Sequence, residues 1–181
     1  MASPQPSGED LDWLVDRGRE WIKGLRTADR PRSVPLVDPV KAVLDPFFAR
    51  AILDNARCLM VPAIENPPFR AEAIARHFPP DALDFAQMAG LTFQDTFFVS
   101  QLRPIENLLA LIFHELVHVV QYEILGVDEF VKQYVHGLAD SGYDYFKIPA
   151  EIVAYDLQAR FEAHQLAGVD VMEEIRQRLP H

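Results

Sequence analysis

The sequence predicts a predominantly helical α+β fold in which a small sheet precedes a long apolar helix. Apolar residues recur at the helical period along much of the chain, as they do in amphipathic helices. One stretch differs: residues 90–100, GLTFQDTFFVS, are rich in Thr, Phe and Val and favour a strand or hairpin. The 181 residues, 49% of them hydrophobic, suffice for one core, so we expect a single domain over residues 1–181.

The chain is predicted to begin with an N-terminal helical region, residues 1–50. Ser7 and Asp10 have the spacing of a capping box, which indicates the start of an amphipathic helix over residues 8–26. Residues 27–39 are polar and contain three prolines, as is typical of a connector.

A second helix and a short strand are predicted next. Asp45 and Pro46 have the pattern of an N-cap and first helical position, so we expect a helix through residues 47–58. Residues 59–64, LMVPAI, are predicted to be an edge strand, because Pro62 cannot donate a backbone hydrogen bond inside a sheet.

The remaining chain is predicted to hold loops, the 90–100 strand region and further helices. The segment 66–85 has two proline pairs and is expected to form loops and short helices. The later helices are expected from Pro104 to just before Gly126, over 128–139, from Pro149 to just before Gly168, and over 170–178.

The composition excludes several classes of protein. A formal charge of -10 argues against binding to nucleic acid or to anionic membranes. The longest apolar stretch, 105–125, contains charged residues, so no membrane span is expected. The N-terminus lacks the pattern of a signal peptide and Cys58 has no partner for a disulfide, which predicts a cytoplasmic protein, with export by a specialised system still compatible. The oligomeric state is left open.

The chemistry of the sequence is concentrated in FHELVHVVQ, residues 113–121. His114 and His118 are four residues apart on a predicted helix, so both imidazoles lie on one face and can bind one Zn²⁺. Glu115 follows the first histidine and is rotated by about 100°, which suits a general base better than a third ligand. Zinc lowers the pKa of a water molecule and polarises a carbonyl.

The alternative for this motif is a buried polar cluster without a metal. The neighbouring residues are nearly all apolar, and burying two imidazoles and a carboxylate without partners costs several kcal/mol, roughly. A metal ion supplies those partners, so the sequence favours a zinc site.

A third protein ligand is expected further along the chain, because catalytic zinc sites usually have three. Gln121 and Ile124 stand where a metzincin has Gly and His. Glu151, in the first turn of its predicted helix, is the preferred candidate, and Asp140 and His136 are the alternatives.

FHELVHVVQYEILG together with IPAEIVAY resembles the small gluzincin-type zinc peptidases. It is especially similar to the bacterial minimal-gluzincin group, whose domains are also found attached to contractile-injection-system proteins. The resemblance covers residues 88–160 and implies a zincin-like catalytic core over 88–168, with the 90–100 strand at the edge of the substrate cleft. It also implies His114, His118 and Glu151 as ligands of one Zn²⁺ and Glu115 as the general base.

Two features depart from this family. The gap between His118 and Glu151 is longer than in the best-known gluzincins, and Tyr155 stands where a carboxylate often orients a histidine. Asn107 or Glu106 is a candidate for that orienting role. Tyr155 is one turn beyond Glu151, so it is expected near the metal as a stabiliser of the developing oxyanion; the other candidates for this role are Tyr143, Tyr145 and His136.

The sequence therefore predicts a zinc metallopeptidase that hydrolyses a peptide or protein substrate. The alternative is a zincin fold that binds zinc as a latent or inactive interaction module.

Overall fold

The computed structural model describes residues 5–102 and 107–179, and it confirms a mainly helical α+β architecture. The helices are α1 (Gly8–Asp29), α2 (Asp38–Leu44), α3 (Arg50–Asn55), α4 (Arg70–Ala75), α5 (Leu108–Asp140), α6 (Pro149–Glu162) and α7 (Val171–Arg178). The strands are β1 (Val34–Pro35), β2 (Arg57–Val61), β3 (Gly90–Phe93) and β4 (Thr96–Ser100).

Helix α1 begins at the predicted capping box. The backbone N–H of Asp10 donates to Oγ of Ser7 at 3.2 Å, and the Asp10 carboxylate accepts from the Ser7 N–H at 2.9 Å. Together these bonds satisfy two backbone donors that a helix start leaves unpaired. The helix runs to Asp29, beyond the predicted end at residue 26.

The helix predicted through residues 47–58 is confirmed in part, as the shorter α3, but its predicted start is wrong. Asp45 does not start a helix but ends α2, where its N–H donates to the carbonyl of Lys41 at 2.8 Å. The earlier Asp38 and Pro39 occupy the first turn of α2 instead. This short helix begins in the last residues of the predicted connector and continues beyond it. Its last residue, Leu44, is 0% exposed and anchors the helix in the core.

The sheet has the strand order β1-β2-β4-β3. Strand β2 pairs with β4 in parallel and with β1 antiparallel, so it is not the predicted edge strand. Pro62 lies just after β2 and interrupts no pairing. The predicted 90–100 hairpin is confirmed: β3 and β4 are antiparallel, and Gln94 in the turn has a φ of 67°.

The sheet separates two hydrophobic clusters. Phe97 and Val99 of β4 belong to a core with α2, α3, α6 and α7, whereas Phe98 faces a second core with α1. Successive strand residues point to opposite faces, which explains this division. The predicted loops and short helices of 66–85 are confirmed and complete the second core.

Helix α5 is long but bent. The predicted start at Pro104 lies outside the described residues; the described helix is capped by Asn107, whose side chain accepts from the N–H of Ala110 at 3.1 Å. The predicted break at Gly126 is confirmed, with a φ of 72° that favours glycine. Tyr122 and Phe130 rings lie 3.9 Å apart across this break, although eight residues of straight helix would separate them by about 12 Å. The chain therefore folds back toward the site.

By length and composition α5 is the one helix among the described residues that would suffice to cross a membrane. However, 67% of its most apolar window is buried inside the fold, as in the core helix of a soluble protein. One helix of this length and composition is therefore weak evidence for a membrane span.

Helix α6 ends earlier than predicted, at Glu162 and not near Gly168. His164 has a φ of 56°, and the N–H groups of His164 and Gln165 donate to the carbonyls of Phe161 and Arg160 at 3.0 and 2.8 Å. This is the hydrogen-bond pattern of a Schellman motif. The predicted last helix is confirmed as α7.

Candidate metal centre

Three buried side chains bring one acceptor atom each to a common point between α5 and α6. Nε2 of His114 lies 3.1 Å from Nε2 of His118, and Oε2 of Glu151 lies 3.4 and 3.5 Å from these two nitrogens. The three residues are only 4, 6 and 2% exposed. The structure thus brings together the three residues predicted as ligands, in an arrangement that could hold a metal ion.

The local sequence explains how the helices present these groups. The histidines are one turn apart on one face of α5, and Glu151 follows Pro149 in the first turn of α6. The alternative third ligands lie elsewhere among the described residues: Asp140 is exposed at the end of α5, and His136 does not belong to the cluster.

The orientation of His118 is fixed by Gln121. The Gln121 Nε2 group donates to the carbonyl of Ala150 at 3.0 Å, so its Oε1 faces Nδ1 of His118 at 2.8 Å. An amide oxygen only accepts hydrogen bonds, so His118 donates through Nδ1–H. A neutral His118 therefore presents the lone pair of Nε2 to the other two residues.

His114 and Glu151 are held in the same manner. Oε1 of Gln158 lies 3.1 Å from Nδ1 of His114, and the hydroxyl of Tyr134 donates to Oε1 of Glu151 at 2.8 Å. Burial and the charge of Glu151 raise the pKa of Tyr134 well above its usual value, so its hydroxyl keeps its proton. Such partners orient metal ligands and tune their basicity.

The chemistry of the donor set fits a divalent cation. Oε2 of Glu151 is buried and has no hydrogen-bond partner within residues 5–102 and 107–179. Two imidazole nitrogens and one carboxylate oxygen are the ligand types of many catalytic zinc sites.

In the metal-free protein a proton can bind Nε2 of His118, the atom proposed to bind the metal. Burial lowers the pKa of His118, but the charge of the nearby Glu151 carboxylate and the hydrogen bond to Gln121 raise it to about 9. Burial raises the pKa of Glu151, yet the charges of His118 and His114 hold it below its usual value.

Glu115 lies beside this cluster, against strand β3. Its Oε2 accepts a hydrogen bond of 2.7 Å from Oγ1 of Thr92, and the residue is 3% exposed. Burial raises the pKa of its carboxyl, and the charges of the histidines and the Thr92 bond oppose this only in part. A Cβ at position 90 would lie 2.1 Å from Oε1 of Glu115, so Gly90 allows this close approach.

Tyrosines surround the cluster on two sides. The ring of Tyr155 lies 4.6 Å from that of His114 and is 38% exposed, so this predicted stabiliser does lie near the ligands. Tyr145 contacts both Glu151 and Tyr155. Tyr143 lines the neighbouring cavity, with a φ of 67°.

Several partners were missed by the sequence analysis. These partners lie far from the motif in the sequence: Gly90, Thr92, Tyr134 and Gln158. Of these, Gln158 could have been found from the sequence, because it lies two turns after Glu151 on the same face of α6. Gln121, within the motif itself, contacts His118 directly. Asn107 caps α5 instead of orienting a histidine, and Glu106 lies outside the described residues.

The histidines, the carboxylates and their partners together define a buried His/His/Glu group with an adjacent carboxyl. Comparisons of the chain with protein-family models, with curated proteins and with solved structures found no match.

Proposed function

We propose that this chain is a zinc-dependent peptidase with a zincin-like core of the gluzincin type. His114, His118 and Glu151 hold one Zn²⁺, and Glu115 is the general base. The observation that carries the proposal is the convergence of three buried acceptor atoms, one of them the Glu151 oxygen for which the described part of the chain supplies no hydrogen-bond donor.

The residues of the chain divide the work of peptide hydrolysis. Bound zinc supplies a Lewis acid that polarises a carbonyl and makes water more acidic. Glu115 accepts the proton of the attacking water and passes it to the amine that leaves, a role that suits a buried carboxyl with a raised pKa. Thr92 orients Glu115, and Tyr155, partly exposed beside His114, donates to the developing oxyanion.

The substrate lies extended along the outer edge of β3. Ser100 N–H donates to the carbonyl of Ala89 at 2.8 Å, directly opposite in the antiparallel register. Because such pairs alternate, Leu91 faces β4 and the backbone groups of Gly90 and Thr92 point outward. Strand β3 is the last strand in the order of the sheet. In the described parts of the chain neither Gly90 nor Thr92 makes a backbone–backbone hydrogen bond outside the sheet, so this edge supports strand addition by a peptide.

A second candidate is a latent or inactive zinc-binding interaction module. The burial of the site favours it, because His114, Glu115, His118 and Glu151 are 4, 3, 6 and 2% exposed. The adjacent cavity favours the peptidase, since its lining includes Glu115, His118 and Glu151.

The test is metal analysis of the chain purified without chelators, followed by digestion of a mixed peptide library. We expect stoichiometric zinc and cleavage that a chelator blocks. Glu115→Gln should retain zinc and lose cleavage by about 100-fold or more. Glu123→Gln, an exposed glutamate on the same helix, is the control and should stay active.

The possible results separate the two candidates. Zinc without cleavage of any peptide supports the interaction module. Full activity of Glu115→Gln shows that another group is the base, and a metal-free, chelator-insensitive protein refutes the zinc site.

A further inference from the structure

An apolar cavity of about 140 Å³ adjoins the candidate metal centre. Its charged lining residues, Asp81 apart, are Glu115, His118 and Glu151. Aromatic and aliphatic side chains form most of the remaining wall, among them Phe69, Phe85, Leu91, Phe130 and Val135. The proposed catalytic and metal-binding residues thus form one part of the cavity wall, and apolar side chains form most of the rest.

Helix α1 supplies one side of this wall. Leu14, Gly18, Trp21 and Ile22 all line the cavity. The Trp21 ring stacks on Phe85 at 5.5 Å and meets Phe69 edge-on at 6.2 Å. Helix α1 therefore helps to shape the cavity beside the metal ligands, although it lies far from the histidine motif in the sequence.

Ion pairs fix α1 in this position. Arg26 forms two hydrogen bonds to the carboxylate of Asp95 in the β3–β4 turn, at 2.9 and 2.8 Å. Lys23 bonds to Asp128, after the bend of α5, at 2.7 Å. The helix is thereby tied to two of the elements that contribute to the cavity wall, the β3–β4 hairpin and α5.

The size of the cavity limits its occupant. A buried apolar cavity of roughly 150 Å³ binds one benzene molecule. A space of about 140 Å³ therefore suits one phenyl group or a large aliphatic group. An acidic side chain is excluded because it would meet the carboxylates of Glu115, Glu151 and Asp81, and a lysine would find mostly apolar walls.

We propose that α1 determines the specificity of the site, by forming with α5 a cavity for one aromatic or large aliphatic side chain of an extended peptide. This inference rests on the proposed function. The outward backbone groups of Gly90 and Thr92 would hold the peptide beside the cavity, since both residues also line it. A side chain in the cavity then places the neighbouring peptide bond near Glu115.

Benzene is the first probe, because its binding requires neither metal nor turnover. We expect saturating benzene to raise the melting temperature of the purified chain. Ala82→Phe should abolish this increase, because Ala82 lines the cavity and a ring there would fill it. Trp13→Ala is the matched control: Trp13 also meets Phe69, at 6.1 Å, but lies outside the lining, so benzene binding should persist.

Peptide-library cleavage is the second measurement. One position next to the cleaved bond should prefer Phe or Leu over Ala by about tenfold or more. Trp21→Ala enlarges the cavity and should move this preference toward Trp, whereas Trp13→Ala should leave it unchanged.

The two measurements fail independently. Cleavage without any apolar preference, together with no effect of benzene, overturns the role of the cavity and leaves the peptidase intact. Benzene binding without cleavage of any peptide overturns the peptidase, and with it the assignment of the cavity to a peptide side chain.

Discussion

The hydroxyl of Thr92 donates a hydrogen bond of 2.7 Å to the carboxylate of Glu115, and so joins an edge strand to the residue proposed as general base. Both residues are buried, at 6 and 3% exposure. The carboxylate consequently depends on one hydroxyl from another element for its orientation.

Replacing this hydroxyl should lower both stability and activity. Thr92→Val keeps the shape but leaves Oε2 of Glu115 without its donor, which should reduce the free energy of unfolding by about 1–3 kcal/mol. Cleavage should fall by roughly tenfold or more. Denaturant unfolding and peptide cleavage measure the two effects.

Two controls accompany this change. Thr92→Ser should restore cleavage because it retains the hydroxyl, and Thr27→Val on the exposed face of α1 should change stability by less than about 0.5 kcal/mol. Equal losses in Thr92→Val and Thr92→Ser would assign Thr92 a packing role only.

A methyl group at position 90 should displace Glu115. In Gly90→Ala the new Cβ would lie 2.1 Å from Oε1 of Glu115, so one of them must move. We expect a loss of about 1–3 kcal/mol in the free energy of unfolding, and a loss of cleavage. In Gly24→Ala the new Cβ meets nothing within 4 Å in the described residues beyond its own stretch of helix, and this helical control should gain about 0.5–1 kcal/mol. Unchanged stability of Gly90→Ala would contradict the close packing of β3 on α5.

Gln121 should matter for zinc affinity more than for the fold. Gln121→Leu removes the acceptor of the His118 Nδ1–H and the bond to the Ala150 carbonyl. Loss of such an orienting partner typically weakens metal binding by about 10–100-fold. Competition with a chromogenic chelator measures the affinity, and Gln133→Leu, which removes an amide bonded to Glu129 on the surface of α5, serves as the control. Equal affinity of both variants would argue against the orienting role.

Zinc affinity should depend on pH through His118. Its pKa of about 9 in the metal-free fold, raised by Glu151 against the effect of burial, means that zinc displaces a proton below that pH. The apparent affinity should therefore rise about tenfold per pH unit up to pH 9 and then level off. Calorimetry in buffers of different ionisation enthalpy should detect the released proton. A flat profile between pH 6 and 9 would show that the pKa of His118 is not raised in the metal-free fold.

Local patterns in the sequence predicted the features whose structure depends on interactions between neighbouring residues. The Ser7–Asp10 capping box, the 90–100 hairpin and the break at Gly126 each depend on a few neighbouring residues. The spacing of His114 and His118 placed both rings on one face, because helical geometry alone requires it.

Other features depend on contacts that no local pattern reveals. Asp38–Pro39 and Asp45–Pro46 have the same helix-start pattern, yet the first pair lies in the first turn of α2 and Asp45 is its C-cap. Strand β2 occupies an inner position because β1, only two residues long, pairs with it. Tyr134 and Thr92 reach the site only after the chain has folded back upon it.

The bend at Gly126 has a consequence for how this chain tolerates change. A residue with a side chain is strained at a φ of 72°, so a substitution at this position weakens the bend. Two contacts of the site depend on that bend: Phe130 meets Tyr122 across it, and the hydroxyl of Tyr134, which lies beyond it, donates to Glu151. A single position without a side chain thus couples the shape of the apolar recess to the anchoring of the acidic ligand.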